Sequence, residues 1–254
     1  MPQPDSASSP ELAREHEPAA IAARLSAQSR SRHAPDAVLG AIDGCITTFA
    51  VVSGAVGAGF GPVVPLVLGI ANLLADGFSM AVSNYEASKA QLELREQARC
   101  MEEEHIDRVP HGELEEIRQL FHMKGFAGEI LEAIVATISQ DRQLWVETML
   151  VEEHGLQKAD ISPRRSAAVT FATFLLAGSI PLLPLLASGL DMRWQFILSS
   201  VLAAAVFFSI GMLKSLVFAK PILRAGLGTL LTGGAAAALA YLTGHLLRQA
   251  FGVL

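Results

Sequence analysis

Residues 37–61 read AVLGAIDGCITTFAVVSGAVGAGFG. The run is long enough to cross a bilayer as a helix, which takes roughly 20 apolar residues. One carboxylate, Asp43, stands inside it. A charged group at the centre of a membrane helix costs about 2.5–3.5 kcal/mol on insertion scales, so such a residue marks a functional position by default. Gly40 and Gly44 flank Asp43 at the GxxxG spacing that lets helix backbones approach closely. Cys45 reads as a small packing residue. With Cys100 as the only other cysteine, there is neither a disulfide framework nor a zinc-type CxxC.

Working outward, the apolar residues fall in blocks. Charged residues make up only 17% of the 254-residue chain and hydrophobic ones 51%, whereas a soluble domain carries about a quarter charged residues. Five membrane helices are predicted, at 37–60, 62–85, 167–188, 195–218 and 223–247. Gly61-Pro62 makes a tight reversal between the first two. Pro181 and Pro184 kink the third or end it early, which a membrane helix tolerates when neighbours satisfy the freed carbonyls. The Gly/Ala-rich fifth helix reads as a close-packing element. The fold class is therefore all-α: a polytopic membrane protein with a helical insertion between helices two and three. Its divisions are a polar tail (1–36), helices one and two (37–90), an acidic helical metal-binding domain (91–162) and helices three to five (163–254).

Basic residues set the expected orientation. Arg14, Arg24, Arg30 and Arg32 lie in the tail, Arg164 and Arg165 before the third helix, and Lys214, Lys220 and Arg224 around the turn between helices four and five. The turn between helices three and four has only Arg193, and that between one and two has none. By the positive-inside rule the N-terminus and the insertion are cytoplasmic and the C-terminus lies on the far side. The tail lacks the apolar core of a signal peptide. The absence of any sorting extension and the short loops point to a bacterial inner membrane.

Residues 95–160 carry 15 acidic and 7 basic side chains, a net of −8 in a chain whose total is −6. Helix two is expected to run on through 86–108. Pro110 then opens a helix over 111–124, and a third region spans 127–154 with Asp141 as an internal cap and Gly155 as terminator. Glu102 and His105 share a helix face, as do Glu113 and Glu116, and Met149 and Glu153, with Glu152 adjacent. Facing carboxylates repel and raise one another's pKa, a cost that a divalent cation relieves. Oxygen ligands with a thioether or imidazole suit Fe²⁺ or Mn²⁺ better than Cu⁺. The competing reading is a solvated acidic face. In the membrane part, Asp76, Met80 and Asn84 follow one another at single-turn spacing, with Glu86 beyond them.

These stretches resemble the vacuolar iron transporter family. The likeness rests on VLGAIDGCITTFAVVSGAVGAG, LGIANLLADGFSMAVSNYEASKAQLE, WVETMLVEEHGL and TFATFLLAGSIPLLPLL. It implies a homodimer of five-helix subunits that exports Fe²⁺, and often Mn²⁺, from the cytoplasm in exchange for protons, in the service of iron detoxification and homeostasis. It further implies a path through Asp43 and Met80, and ion binding by Glu102, Glu113, Glu116, Met149 and Glu153. His105 stands where the family usually has a glutamate, and Glu152 beside Glu153 leaves either open as the ligand. Asp76 and Glu86 are alternative proton carriers. No permanently bound cofactor is expected; the metal is cargo.

Exchange suits the energetics, since moving a doubly charged ion toward a positive far side costs about 4.6 kcal/mol per 100 mV, which counter-moving protons offset. A membrane-anchored metal sensor or store is the alternative, but an anchor has no use for Asp43 and Met80. A di-iron enzyme needs Glu-x-x-His pairs on two helices, and only Glu102-x-x-His105 fits in the insertion. No enzymatic activity is expected. The acidic insertion disfavours nucleic acid.

Overall fold

Residues 9–27, 33–157, 161–218 and 222–252 are described by a computed structural model. Arg30, Arg32 and Lys220, used above for orientation, lie outside them, as does the side chain of Arg24. Every regular element is helical: α1 (Ser9–Glu15), α2 (Pro18–Ala27), α3 (Ala34–Gly57), α4 (Val63–Arg108), α5 (Pro110–Met123), α6 (Gly128–Gln140), α7 (Arg142–Glu152), α8 (Pro163–Ser179), a 3₁₀ segment (Ile180–Leu186), α9 (Met192–Phe218) and α10 (Ile222–Phe251). Among the described residues, five stretches are long and apolar enough to cross a membrane: Ala34–Gly57, Val63–Arg108, Pro163–Leu186, Met192–Ser215 and Leu223–Phe251. The chain is a multi-pass membrane protein. The tail contributes α1 and α2, which the polar reading did not foresee; alanine-rich sequence behind Pro18 at the first helical position favours the second of them.

The backbone divides into two compact units, Met1–Met80 with Ala168–Leu254, and Ala81–Ala167. In the first, α3 packs chiefly against α10 and also against α9. Its Gly40 and Gly44 lie directly on the α8 backbone at Thr170 and Phe174, where no Cβ would fit. Cys45 is fully buried among Phe49, Ala203 and Phe207. The prolines act as expected: α8 gives way at Ser179 to the 3₁₀ segment. The carbonyls this frees find donors on α9, with Ser199 Oγ donating to Pro181 O (2.6 Å) and Gln195 Nε2 to Ala187 O (2.9 Å). In hydrocarbon each unpaired carbonyl would cost several kcal/mol.

The second unit is built on an apolar core of Ala98, Ile106, Ile117, Leu131, Val135, Ile138, Trp145, Val146, Met149 and Leu150, drawn from α4 to α7. The sequence explains its breaks. Pro110 stands at the first position of α5. Asp141 ends α6 and caps α7, its carboxylate accepting from the backbone N–H of Gln143 (2.8 Å) and Leu144 (3.2 Å). Gly155, at φ +67°, turns the chain out of α7 through the left-handed region.

Candidate metal centre

The apolar core of the Ala81–Ala167 unit brings three chain segments together. The end of α4 supplies Glu102 and His105, α5 supplies Glu113 and Glu116, and the exit of α7 supplies Glu153 and His154. Glu102 and Glu113 are 1% and 2% exposed, burial that ionised carboxylates tolerate only when paired. Their partners are imidazoles. His154 Nε2 donates to Glu102 Oε1 at 2.8 Å, and His105 Nδ1 lies 3.3 Å from Glu113 Oε1. One oxygen of each acid, Glu102 Oε2 and Glu113 Oε2, is buried without a hydrogen-bond partner. Glu153 Oε2 lies 4.0 Å from His154 Nε2. Glu102, Glu153 and His154 each offer a ligand atom within 4.8 Å of the others.

The charges here oppose one another. Burial first, then the Glu102 and Glu116 carboxylates, hold the Glu113 carboxyl well above its ordinary range. Glu153 is raised by burial and then by the same two acids. The hydrogen bond to Glu102 raises His154. All three groups are thus shifted toward their protonated forms beside orphaned oxygens, and an entering divalent cation would compete with those protons.

Eight other acids of this unit are disposed differently. Arginines hold Glu96 and Glu103 (through Arg99), Glu104 (Arg108, 2.9 Å), Glu115 and Glu132 (Arg118), Glu147 (Arg95, 2.6 Å) and Asp107 (Arg142, 2.6 Å). Glu152 pairs with Lys124. Of the two adjacent glutamates, Glu153 is therefore the one the fold turns toward the cluster. Glu116 is exposed but close enough for its charge to act on Glu113 and Glu153. Met149 is fully buried in the apolar core. His154 was not anticipated; its only sequence signal is a histidine ending the Glu152-Glu153 run.

In the membrane helices, Asp43 is half-buried on α3, and Asp76 on α4 is near enough for the two charges to interact. A polar link joins the same helices: Asn72 Nδ2 donates to Thr47 Oγ1 (3.3 Å), and Thr47 Oγ1 donates to the Asp43 carbonyl (2.9 Å). Neither Thr47 nor Asn72 was singled out from sequence. Met80 is half-buried against the apolar cluster of Val52, Leu73, Phe174, Leu182 and Leu185. Glu86 is exposed, beside Lys89.

Comparison with known proteins adds an independent observation. The family model described as the VIT family matches residues 34–245. A protein named vacuolar iron transporter from Plasmodium berghei is 31% identical over 226 residues, covering 85% of this chain and 82% of its own. One of the same name from Toxoplasma gondii is 28% identical over 224 residues, covering 85% of this chain and 74% of its own. Vacuolar iron transporter 1 of Arabidopsis thaliana is 29% identical over 209 residues, covering 81% and 82%.

Proposed function

Because this chain belongs to the VIT family, whose members are transporters and not enzymes, we propose that it moves Fe²⁺, and secondarily Mn²⁺ and other divalent transition ions, out of the cytoplasm in exchange for protons. Iron detoxification and homeostasis is the role this serves. The observation that carries the reading is the pair of buried carboxylates, Glu102 and Glu113, each with one orphaned oxygen, an imidazole beside the other, and further carboxylates close by. Such a cluster is costly when empty and is relieved by a cation. Carboxylate oxygens with imidazole nitrogens match borderline divalent ions.

In this reading residues 1–36 form a cytoplasmic tail, 37–90 and 163–254 the membrane helices, and 91–162 a cytoplasmic metal-binding domain. Glu102, Glu113, Glu116, Glu153 and His154 gather the ion, His105 tempers the cluster's charge, and Met149 and Glu152 are peripheral. Arrival of the ion releases protons from Glu113, Glu153 and His154. In the membrane, Asp43 binds either a proton or the ion in turn, Met80 offers a thioether to a partly dehydrated transition ion, and Asp76 and Glu86 carry protons. The protein works as a homodimer in a bacterial inner membrane, with the C-terminus on the far side.

The test is reconstitution of the full-length protein in liposomes with dyes for metal and pH. Metal-driven proton counterflow, abolished by a protonophore-imposed pH clamp, is the expected result. Metal bound but not moved would establish a sensor or store instead. Metal movement without proton flux would refute exchange.

A further inference from the structure

We propose that a groove walled by α3, α9 and α10 is a docking site for one anionic phospholipid, with its phosphate headgroup at Lys214 and Arg224 and an acyl chain along Ile42, Ile46 and Gly228. The groove is a cavity of about 550 Å³. Its two basic side chains come from the turns on either side of the α9–α10 connection, and among the described residues neither forms an ion pair. No acidic residue stands in the first turn of α10 to offset Arg224.

The rest of the wall makes little polar demand. Thr229 and Thr232 donate their hydroxyl protons to the Ala225 and Gly228 carbonyls of their own helix, at 3.2 and 2.8 Å, so both hydroxyls are already satisfied, and Ile42 and Ile46 line the same space. At Gly228 an added Cβ would meet nothing within 4 Å, leaving an open slot along α10. Two cations without an ion pair among the described residues, set over an apolar slot, match an amphiphile with an anionic head. A soluble phosphate would satisfy the cations but leave the slot bare, and a zwitterionic lipid would bring its own cation to the arginine. Basic pockets between membrane helices select anionic headgroups in this way.

The experiment uses full-length protein in detergent, mixed with phosphatidylglycerol or phosphatidylcholine of identical acyl chains, and counts retained lipid by native mass spectrometry. Wild-type protein should retain phosphatidylglycerol preferentially, and inorganic phosphate should not displace it. The Lys214→Gln/Arg224→Gln variant should lose that retention roughly thirtyfold, the effect of two cations facing one phosphate. Gly228→Leu, which keeps both charges and fills the slot, should lower it as well, separating a built groove from general surface charge. The charge-preserving Lys214→Arg/Arg224→Lys exchange should retain the lipid, and it carries the charge test if the double glutamine variant does not fold. Equal retention of the two lipids, or unchanged retention in the glutamine and leucine variants, overturns the proposal. So does a change of oligomeric state in those variants with lipid retention intact, which would make the groove a contact between copies.

Discussion

Replacing Glu113 by Gln should stabilise the metal-free helical unit while weakening its hold on metal. Glu113 is 2% exposed, has an orphaned oxygen and sits among Glu102, Glu116 and Glu153. Because its carboxyl is raised above the ordinary 4.5, the folded state holds a proton that the unfolded chain releases. Stability from this group is therefore intact below that value and falls as pH rises toward the folded pKa. His154, raised above 6.5, acts in the same sense, since its contribution is present at low pH and lost as pH rises through its folded value. Glutamine removes the Glu113 penalty and brings an N–H₂ that Glu102 Oε2 can accept. An unsatisfied buried polar group costs about 1–3 kcal/mol, so the gain should be about 2 kcal/mol, or roughly thirtyfold slower opening. Hydrogen–deuterium exchange of α5–α7 in the full-length, metal-free protein at about pH 7.5 reads this directly, and below about pH 4 the two proteins should converge. Added Mn²⁺ should slow exchange in the wild type and do so less in the variant. Equal or faster exchange in Glu113→Gln at neutral pH would refute the account of a strained, proton-loaded carboxylate.

Asp43→Asn should abolish metal transport in proteoliposomes while full-length protein still binds metal at the helical unit, since neutralisation removes the one carboxylate inside the apolar run 37–61. Met80→Leu should cost under about 1.5 kcal/mol of stability yet slow Fe²⁺ transport more than Mn²⁺ transport; wild-type Fe²⁺ rates would reduce Met80 to packing. Double replacement of Glu113 and Glu116 by Ala should lower metal stoichiometry in calorimetry, whereas Glu103 and Glu104, held by Arg99 and Arg108, should be dispensable. In α3, Gly44→Ala drives a Cβ into the Phe174 backbone and should destabilise by about 1–3 kcal/mol. In α10, Gly234→Ala meets nothing within 4 Å and should stabilise by up to about 1 kcal/mol; thermal unfolding should give the two opposite signs.

Most of the helical architecture was legible because it depends on local chemistry. Long apolar runs, Pro110 and Gly155 mark helices and their ends without reference to distant residues, and Asp141 caps α7 through its own neighbours. The candidate metal cluster was legible only in part. Helical spacing placed Glu102, Glu113 and Glu116 on defined faces, but which carboxylates remain without a cation depends on where arginines arrive from other helices. Arg142 reaches Asp107 from 35 residues away, and Arg95 reaches Glu147 from 52 away. The choice of Glu153 over Glu152 turned on Lys124, and His154 became visible only once α7 lay beside α4. Met80 shows the converse: its spacing from Asp76 suggested a ligand, while its packing against the cluster of Val52, Leu73, Phe174, Leu182 and Leu185 gives it an apolar environment as well.

The proline-broken end of α8 also limits how the membrane helices can rearrange. Ser199 and Gln195 hold the carbonyls of Pro181 and Ala187, and inside the span, at Pro181, no water is at hand to replace the donor. Prising the 3₁₀ segment from α9 would strand both acceptors together, so that segment and α9 should travel as one rigid body through any transport cycle.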